Sequence, residues 1–229
     1  MYKLNPSAQE SPDMSATELN IRIVSDIACP WCLVGYRHLR AALDELQPDI
    51  EARISWQAFQ LNPHIAAEGE NLHEHIRHKY GSTETESRAM RRRITALGEE
   101  TGFTFNFTDD FRTWNTFDAH RAMYWAGLKN SATAMAEQLF TAYFTNGENP
   151  GATATLLQAA QDAGLDAAEL EQVLADDQYR GEVEQELAQA RDLGISGVPT
   201  FIVNDQFSLT GAQPVSVFKD ALQQIAREA

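Results

Sequence analysis

Residues 20–32 read Asn20-Ile21-Arg22-Ile23-Val24-Ser25-Asp26-Ile27-Ala28-Cys29-Pro30-Trp31-Cys32, and the rest of the chain is interpreted outward from them. Apolar and polar residues alternate through 20–25, the pattern of a short β-strand with one buried face. Asp26-Ile27-Ala28 then lead into the two cysteines. Beyond Cys32, the residues Leu33, Tyr36, Leu39, Leu43 and Leu46 recur at three- and four-residue steps, which predicts an amphipathic helix. Pro48 follows its end. Over 50–59, Ile50, Ala52, Ile54, Trp56 and Ala58 share one face of a second strand. Residues 20–59 therefore spell strand, Cys-x-x-Cys, helix, strand, which is a βαβ unit.

The other end of the chain completes the pattern. A helix is predicted over 182–193, ending at Gly194. Phe201-Ile202-Val203 and Phe207-Ser208-Leu209 flank a turn at Asn204-Asp205 and read as a hairpin. Pro214 sits where a last helix begins, and 215–227 is amphipathic. The order βαβ, then αββα, is that of an α/β thioredoxin fold. Between the two halves, helical periodicity appears over 84–100, 114–129, 133–145, 152–163 and 166–176. The expected organisation is a flexible tail over 1–19, a thioredoxin-like domain from 20–62 and 181–229, and a large inserted helical domain over 63–180. Trp114, Phe117, Tyr124 and Trp125 follow helical spacing and are expected in the core of that insertion.

Composition narrows the function. The chain has 229 residues, 43% of them apolar, and 18 Lys+Arg against 33 Asp+Glu give a net charge of −15. Such a chain buries a core without staples. Its charge argues against nucleic acid, because phosphate binding needs clustered cations, and against an anionic membrane surface. No apolar run reaches the ~18 residues of a membrane span, and residues 1–20 lack the apolar stretch of a secretory signal. The expected location is the cytoplasm, where thiols are kept reduced. Two cysteines are too few for a secreted disulfide scaffold.

Cys29 and Cys32 carry the chemistry. Cys29 is expected at the N-terminus of the helix, where aligned peptide dipoles favour a thiolate. The thiolate is the species that attacks a disulfide, so Cys29 is the expected nucleophile. Cys32, one turn on, shares the helix face and is placed to resolve the mixed disulfide. Pro30 suits the first helical turn, since its missing N–H would be unpaired there. Trp31 offers an apolar surface beside the thiol for a substrate. A zinc site would need four ligands, and the chain has no second cysteine pair to supply them. His73, Glu74, His75 and His78 form H-E-H-x-x-H, but no complete ligand set accompanies them, so a polar loop or helix start is expected there and no metal. Arg91-Arg92-Arg93 reads as a solvated helix face.

These features resemble the DsbA-like branch of the thioredoxin superfamily, and within it the FrnE-type dithiol–disulfide oxidoreductases. The resemblance covers about residues 20–227. It is carried by Ser25 to Cys32, by Phe59-Gln60-Leu61-Asn62-Pro63, by Asn115 with His120, by Leu139-Phe140-Thr141-Ala142-Tyr143-Phe144, by Gly194 to Phe201, and by Gly211-Ala212-Gln213. It implies a cis Val198–Pro199 bond facing the tip of the Cys-x-x-Cys helix, with the Val198 backbone open to an extended substrate segment. Asn115 and His120 are candidate cleft residues under the resemblance. As lone residues they read as a helix cap and a satisfied polar contact. Some relatives carry a further cysteine pair near the C-terminus, and this chain does not.

The expected function is thiol–disulfide oxidoreductase or isomerase chemistry on disulfide- or thiol-containing proteins, with no bound cofactor. The redox group is the Cys29–Cys32 pair, and an external thiol closes the cycle. Glutathione is a candidate co-substrate. The same branch includes glutathione-dependent isomerases of 2-hydroxychromene-2-carboxylate and kappa-class glutathione transferases, which typically have a single Ser or Cys where Cys29 stands. Having both cysteines favours dithiol chemistry over that alternative. A peptide-holding chaperone that uses the groove beside Trp31 is the non-enzymatic alternative.

Overall fold

A computed structural model describes residues 16–228. The chain opens with β1 (Thr17–Ser25), α1 (Pro30–Leu46) and β2 (Ile50–Ala58). The insertion follows as β3 (Glu70–Asn71), α2 (Leu72–Tyr80), α3 (Glu84–Glu100), β4 (Arg112–Thr113), α4 (Phe117–Leu128) and α5 (Ala132–Phe140). A π-helical turn (Thr141–Thr145) extends α5, and α6 (Thr153–Asp162), α7 (Ala167–Ala175) and α8 (Arg180–Asp192) come next. The chain closes with β5 (Thr200–Val203), β6 (Phe207–Thr210) and α9 (Val215–Glu228).

The main sheet has the order β2-β1-β5-β6. β1 runs parallel to β2 and antiparallel to β5, and β5 pairs antiparallel with β6. This is the thioredoxin arrangement with an inserted helical region. The parallel β1–β2 pair needs a crossover, which α1 supplies. Leu19, Ile21 and Ile23 alternate inward from β1 and are buried. They meet Leu33, Tyr36, Leu39 and Leu43 of α1 in one core cluster. Phe201 of β5 packs edge-on against Phe218 of α9, with ring centroids 4.8 Å apart. Both the Val198–Pro199 and the Gln47–Pro48 bonds are cis.

The edge strand β2 is tied to the insertion on one face and to α8 on the other. Trp56 packs between Tyr36 of α1 and Phe140 of α5, and its Nε1 donates to Thr133 Oγ1 at 3.0 Å. Its neighbour Gln57 points the other way and donates from Nε2 to the Glu186 carbonyl on α8 at 3.0 Å. The Ala58 N–H, at the open edge of the sheet, donates to Glu186 Oε2 at 2.9 Å. An acidic side chain thus occupies an edge donor that would otherwise invite another strand.

Several boundaries differ from the sequence reading. β1 begins at Thr17, inside the stretch expected to be tail, because Thr17 to Asn20 continue the ladder against Ile50 to Arg53 and bury Leu19. Residues 1–15 of that expected tail lie outside the described residues. Of the polar loop or helix start expected around His73, the structure has the helix start: His73 lies in the first turn of α2. Asn71 caps it by accepting from the His73 and Glu74 N–H groups, and Gly81 ends it in the left-handed conformation. No α2 residue is fully buried, so apolar periodicity carries no signal there. The helix expected over 133–145 closes in the π turn.

That turn packs Phe144 into an aromatic cluster with Phe105, Phe107, Phe140 and Tyr143, with centroid distances of 4.6–6.2 Å. Phe144 is 1% exposed. Truncating it to alanine should cost about 3–5 kcal/mol through lost transfer energy and a cavity. The expected result is a lower urea midpoint at unchanged slope. A shift under about 1 kcal/mol would mean the cluster collapses around the change.

Candidate active site

β1 delivers Ser25 and Asp26 to its C-terminal end, where the chain turns into α1. The Cys29 N–H donates to the Asp26 carbonyl and the Cys32 N–H to the Cys29 carbonyl, each at 3.0 Å. Cys29 is the N-cap of α1 with extended backbone, and Pro30 occupies the first helical turn. Both thiols are free. Cys29 is 3% exposed and Cys32 is fully buried. The two positions therefore differ in chemistry. Cys29 lies at the positive end of the helix dipole and at the wall of a cavity. Burial pushes the Cys32 thiol well up, and a negative charge on Cys29 pushes it the same way. The inner sulfur is thus held protonated.

Val198 and Pro199 sit against the cysteine tip as expected. The Cys29 thiol donates to the Val198 carbonyl at 3.7 Å. Pro199 is buried against the first turns of α1: a Cβ placed on Gly35 would meet Pro199 Cγ at 3.0 Å, Phe201 Cζ at 3.1 Å and Ala212 Cα at 3.2 Å. Gly35 is therefore what lets the helix approach the Val198–Pro199 segment closely.

The insertion builds a cavity on another side of Cys29. It measures ≈ 350 Å³. Ala28, Cys29, Pro30 and Trp31 form its floor. α2 and α3 form its wall through Ile76, Met90, Arg91 and Ile94, and Phe107, Tyr143 and Phe144 line the rest. Trp31 is covered in part by Arg93, whose guanidinium lies 5.7 Å from the ring centre. Neither Val198 nor Pro199 lines this cavity. Cys29 thus lies between a mostly apolar cavity and a backbone carbonyl.

Asp26 organises the surroundings. It is 1% exposed. Its Oδ1 accepts from the Ala28 N–H at 3.2 Å and its Oδ2 from the Leu61 N–H at 2.7 Å. The carboxylate thereby pins the Phe59-Gln60-Leu61-Asn62-Pro63 loop to the cysteine tip, and Leu61 and Asn62 become cavity lining. Tyr143 lies close by and donates to the Arg112 carbonyl at 3.1 Å. Burial raises its phenol, and the nearby Asp26 and Cys29 charges add to the rise, so it stays protonated.

Asn115 and His120 do not line the cavity. Asn115 Oδ1 accepts from the Phe117 N–H at the start of α4 and from Gln60 Nε2, while its Nδ2 donates to the Pro63 carbonyl. It is a helix-end and loop tie. His120 is 4% exposed and lies behind the cysteines, with Nε2 3.6 Å from Asp26 Oδ1. The histidines of the H-E-H-x-x-H run do not converge. His75 bridges Glu70 Oε2 at 2.8 Å and Asn62 Oδ1 at 3.0 Å, and His73 contacts the Arg91 guanidinium. Among the described residues no three His, Cys, Asp or Glu side chains cluster as a metal would need.

The sequence reading missed Leu61, Asn62, Met90, Ile94 and Tyr143 as site residues. Their positions depend on the insertion folding back, and no local spacing announces it.

The DSBA-like thioredoxin domain family model matches residues 20–223. The chain belongs to this DsbA-like family. It is 30% identical to the "probable DsbA oxidoreductase" of Streptomyces coelicolor, with 92% of this chain and 91% of that one covered and a TM-score of 0.86. The uncharacterized protein YwbO of Bacillus subtilis is 26% identical over 205 residues, covering 89% of this chain and 96% of the other. The cytosolic disulfide reductase DsbM from Pseudomonas aeruginosa shares the fold at 16% identity, with 92% and 100% covered and a TM-score of 0.63. A DsbA-like oxidoreductase fold with a Cys29–Cys32 pair is thus established. Among the described residues no helix is long and apolar enough to cross a membrane.

Proposed function

We propose that the protein is a dithiol–disulfide oxidoreductase or isomerase of the FrnE type, with Cys29 as nucleophile and Cys32 as resolving thiol. Both sulfurs are buried, but only Cys29 lines the cavity, and this difference carries the reading. Cys29 sits on the helix end at a cavity wall, while Cys32 is fully enclosed one turn behind it. Cys29 thiolate attacks a substrate disulfide, forming a mixed disulfide and releasing one substrate thiolate. Cys32 thiolate then attacks Cys29 sulfur, forming the Cys29–Cys32 disulfide and releasing the second. The substrate gains two electrons and the protein loses two. Pro30 and Trp31 offer apolar contact, and Val198 with Pro199 aligns an extended substrate segment beside the thiol.

The chain has no second cysteine pair, so an external thiol must reduce the disulfide again. The ≈ 350 Å³ cavity is of the size that takes a small molecule. This favours glutathione as that thiol, acting at Cys29, in a reducing cytoplasm. Disulfide-bearing proteins are the substrates.

Stoichiometric reaction of the reduced protein with a disulfide-bearing peptide tests the reading. The expected result is one peptide disulfide reduced per protein and one intramolecular Cys29–Cys32 disulfide, found by peptide mapping. Peptide thiols released without that bond would overturn it. So would glutathione-dependent isomerisation of a small aromatic by protein lacking Cys32.

A further inference from the structure

Charge is spread unevenly over this acidic chain. α2 and α3 carry six of the 18 Lys+Arg residues and five of the 33 Asp+Glu, which leaves 12 cations against 28 acids elsewhere. Three of the six cations gather at the cavity that opens on Cys29. Arg91 lines it, and Arg93 covers Trp31 on its floor, 5.7 Å from the ring centre. Lys79 donates to the Leu61 carbonyl and to Asn62 Oδ1, both from lining residues, and lies 5.4 Å from the ring centre of Tyr80. Of the six, only Arg88 forms an ion pair among the described residues, with Glu84 at 2.6 Å. Glu86 is the one carboxylate lining the cavity among the described residues, and it accepts from the Thr83 N–H and hydroxyl in the α3 capping box. Glu70 is held by His75, and Asp109 faces Arg91 from the loop before β4.

The middle of this cationic rim is apolar and open. Tyr80 is 61% exposed and Met90 46%, and both line the cavity with Trp31. Exposed apolar surface beside a reactive group marks a contact site. A centre of Trp, Tyr and Met inside a rim of arginine has the composition of a protein-docking surface. The wall also holds Ser87, 7% exposed, whose Oγ has no hydrogen-bond partner. A buried hydroxyl left unpaired is destabilising, and a peptide group entering the cavity supplies the missing bond.

We propose that the α2–α3 face is the docking surface for a polypeptide whose reactive disulfide is flanked by acidic residues. An apolar side chain of the partner sits among Trp31, Tyr80 and Met90, and its carboxylates lie on Lys79, Arg91 and Arg93. The inference rests on the dithiol reading above and narrows its substrate class. The excess of acids over the remaining chain disfavours such a partner elsewhere on the surface, so the field both attracts it and orients its disulfide toward Cys29. A second copy of this chain is the competing occupant, since its own surface is acidic. That contact would pair two unlike faces, and a repeated unlike pairing grows rings or open filaments.

The test is stopped-flow oxidation of the reduced full chain by three fluorogenic disulfide peptides. They share one apolar residue and differ only in their flanking residues, which are acidic, neutral or basic. Bis(2-hydroxyethyl) disulfide, small and uncharged, is the reference, and each rate constant is divided by the one for it, so that a general loss cancels. In wild type at low salt the acidic peptide should react at least about tenfold faster than the basic one, the lower range of electrostatic steering. The difference should collapse at about 1 M salt, where the Debye length falls to about 3 Å. Arg91→Glu combined with Arg93→Glu should reverse the order of the acidic and basic peptides. Arg53→Glu combined with Arg227→Glu changes the net charge equally, on β2 and α9, and should keep the wild-type order. Acidic and basic peptides reacting alike in wild type would overturn the proposal. Equal effects of the two double variants would overturn it too, by making net charge alone responsible. Self-association in analytical ultracentrifugation that Arg91→Glu with Arg93→Glu abolishes would assign the face to a second copy and likewise overturn it. Wild type that forms no Cys29–Cys32 bond with any of the four disulfides would instead overturn the dithiol reading.

Discussion

Replacing Cys29 by serine should reduce turnover of a disulfide substrate about 10³-fold or more, the scale of loss when a covalent nucleophile is removed. A serine hydroxyl at the helix end is not ionised at neutral pH and does not attack sulfur. The change is nearly isosteric at a position 3% exposed, and it retains a donor toward the Val198 carbonyl. The fold should therefore survive, with a thermal midpoint within a few degrees of wild type. Cys32→Ser gives the complementary outcome. Attack by Cys29 continues, no second thiol resolves it, and one mixed disulfide per protein accumulates and is visible as added mass. Turnover retained by Cys29→Ser would remove Cys29 from the nucleophilic role. Failure of Cys32→Ser to accumulate adduct would remove Cys32 from the resolving one.

The second large effect is expected at Gly35, which bears no reactive group. Valine there drives its Cβ into the Pro199 ring, the Phe201 ring and the Ala212 backbone at 3.0–3.2 Å, before its methyl groups are counted. None of these neighbours is the end of a flexible side chain. Overpacking of this kind costs about 1–3 kcal/mol. The larger consequence is catalytic, because the strain is relieved by separating α1 from Pro199, and Cys29 moves with the helix. A displacement near 1 Å at a reacting group can cost about 10²-fold in rate. Gly35→Val should thus lose activity out of proportion to its stability. Gly181→Ala is the control. Its Cβ meets nothing within 4 Å in α8, so it should be neutral or stabilise by up to about 1 kcal/mol. Full activity in Gly35→Val would show that the helix tip accommodates the side chain without moving.

The fold was legible because its elements have strong local signatures. α1 carries apolar residues at helical steps beside a Cys-x-x-Cys, and α3 and α9 begin where the sequence pattern places them. α2 was legible only as a loop or helix start, since it is held by a cap and a left-handed glycine and buries none of its residues fully. The last turn of α5 was read as ordinary helix because a π turn has the same residue preferences as the helix it widens.

The site divides along the same line. Cys29 and Cys32 could be singled out from their spacing at a helix start, and the Val198–Pro199 pair from the family resemblance. The roles of Asp26, Leu61, Tyr143 and Glu186 could not. Asp26 pins a loop 35 residues away, and Glu186 seals an edge strand 128 residues away. Arg91 lines the cavity although it reads as solvated helix face.

The sequence alone determined a thioredoxin-type framework and a single Cys-x-x-Cys pair at a helix end, because these follow from short-range periodicity and a cysteine count. Only the tertiary structure decided which sulfur is sealed, what cavity the other one faces, and which side chains stand around that cavity. Burial and hydrogen-bond satisfaction depend on segments far apart in the chain meeting in space, and no local pattern encodes that meeting.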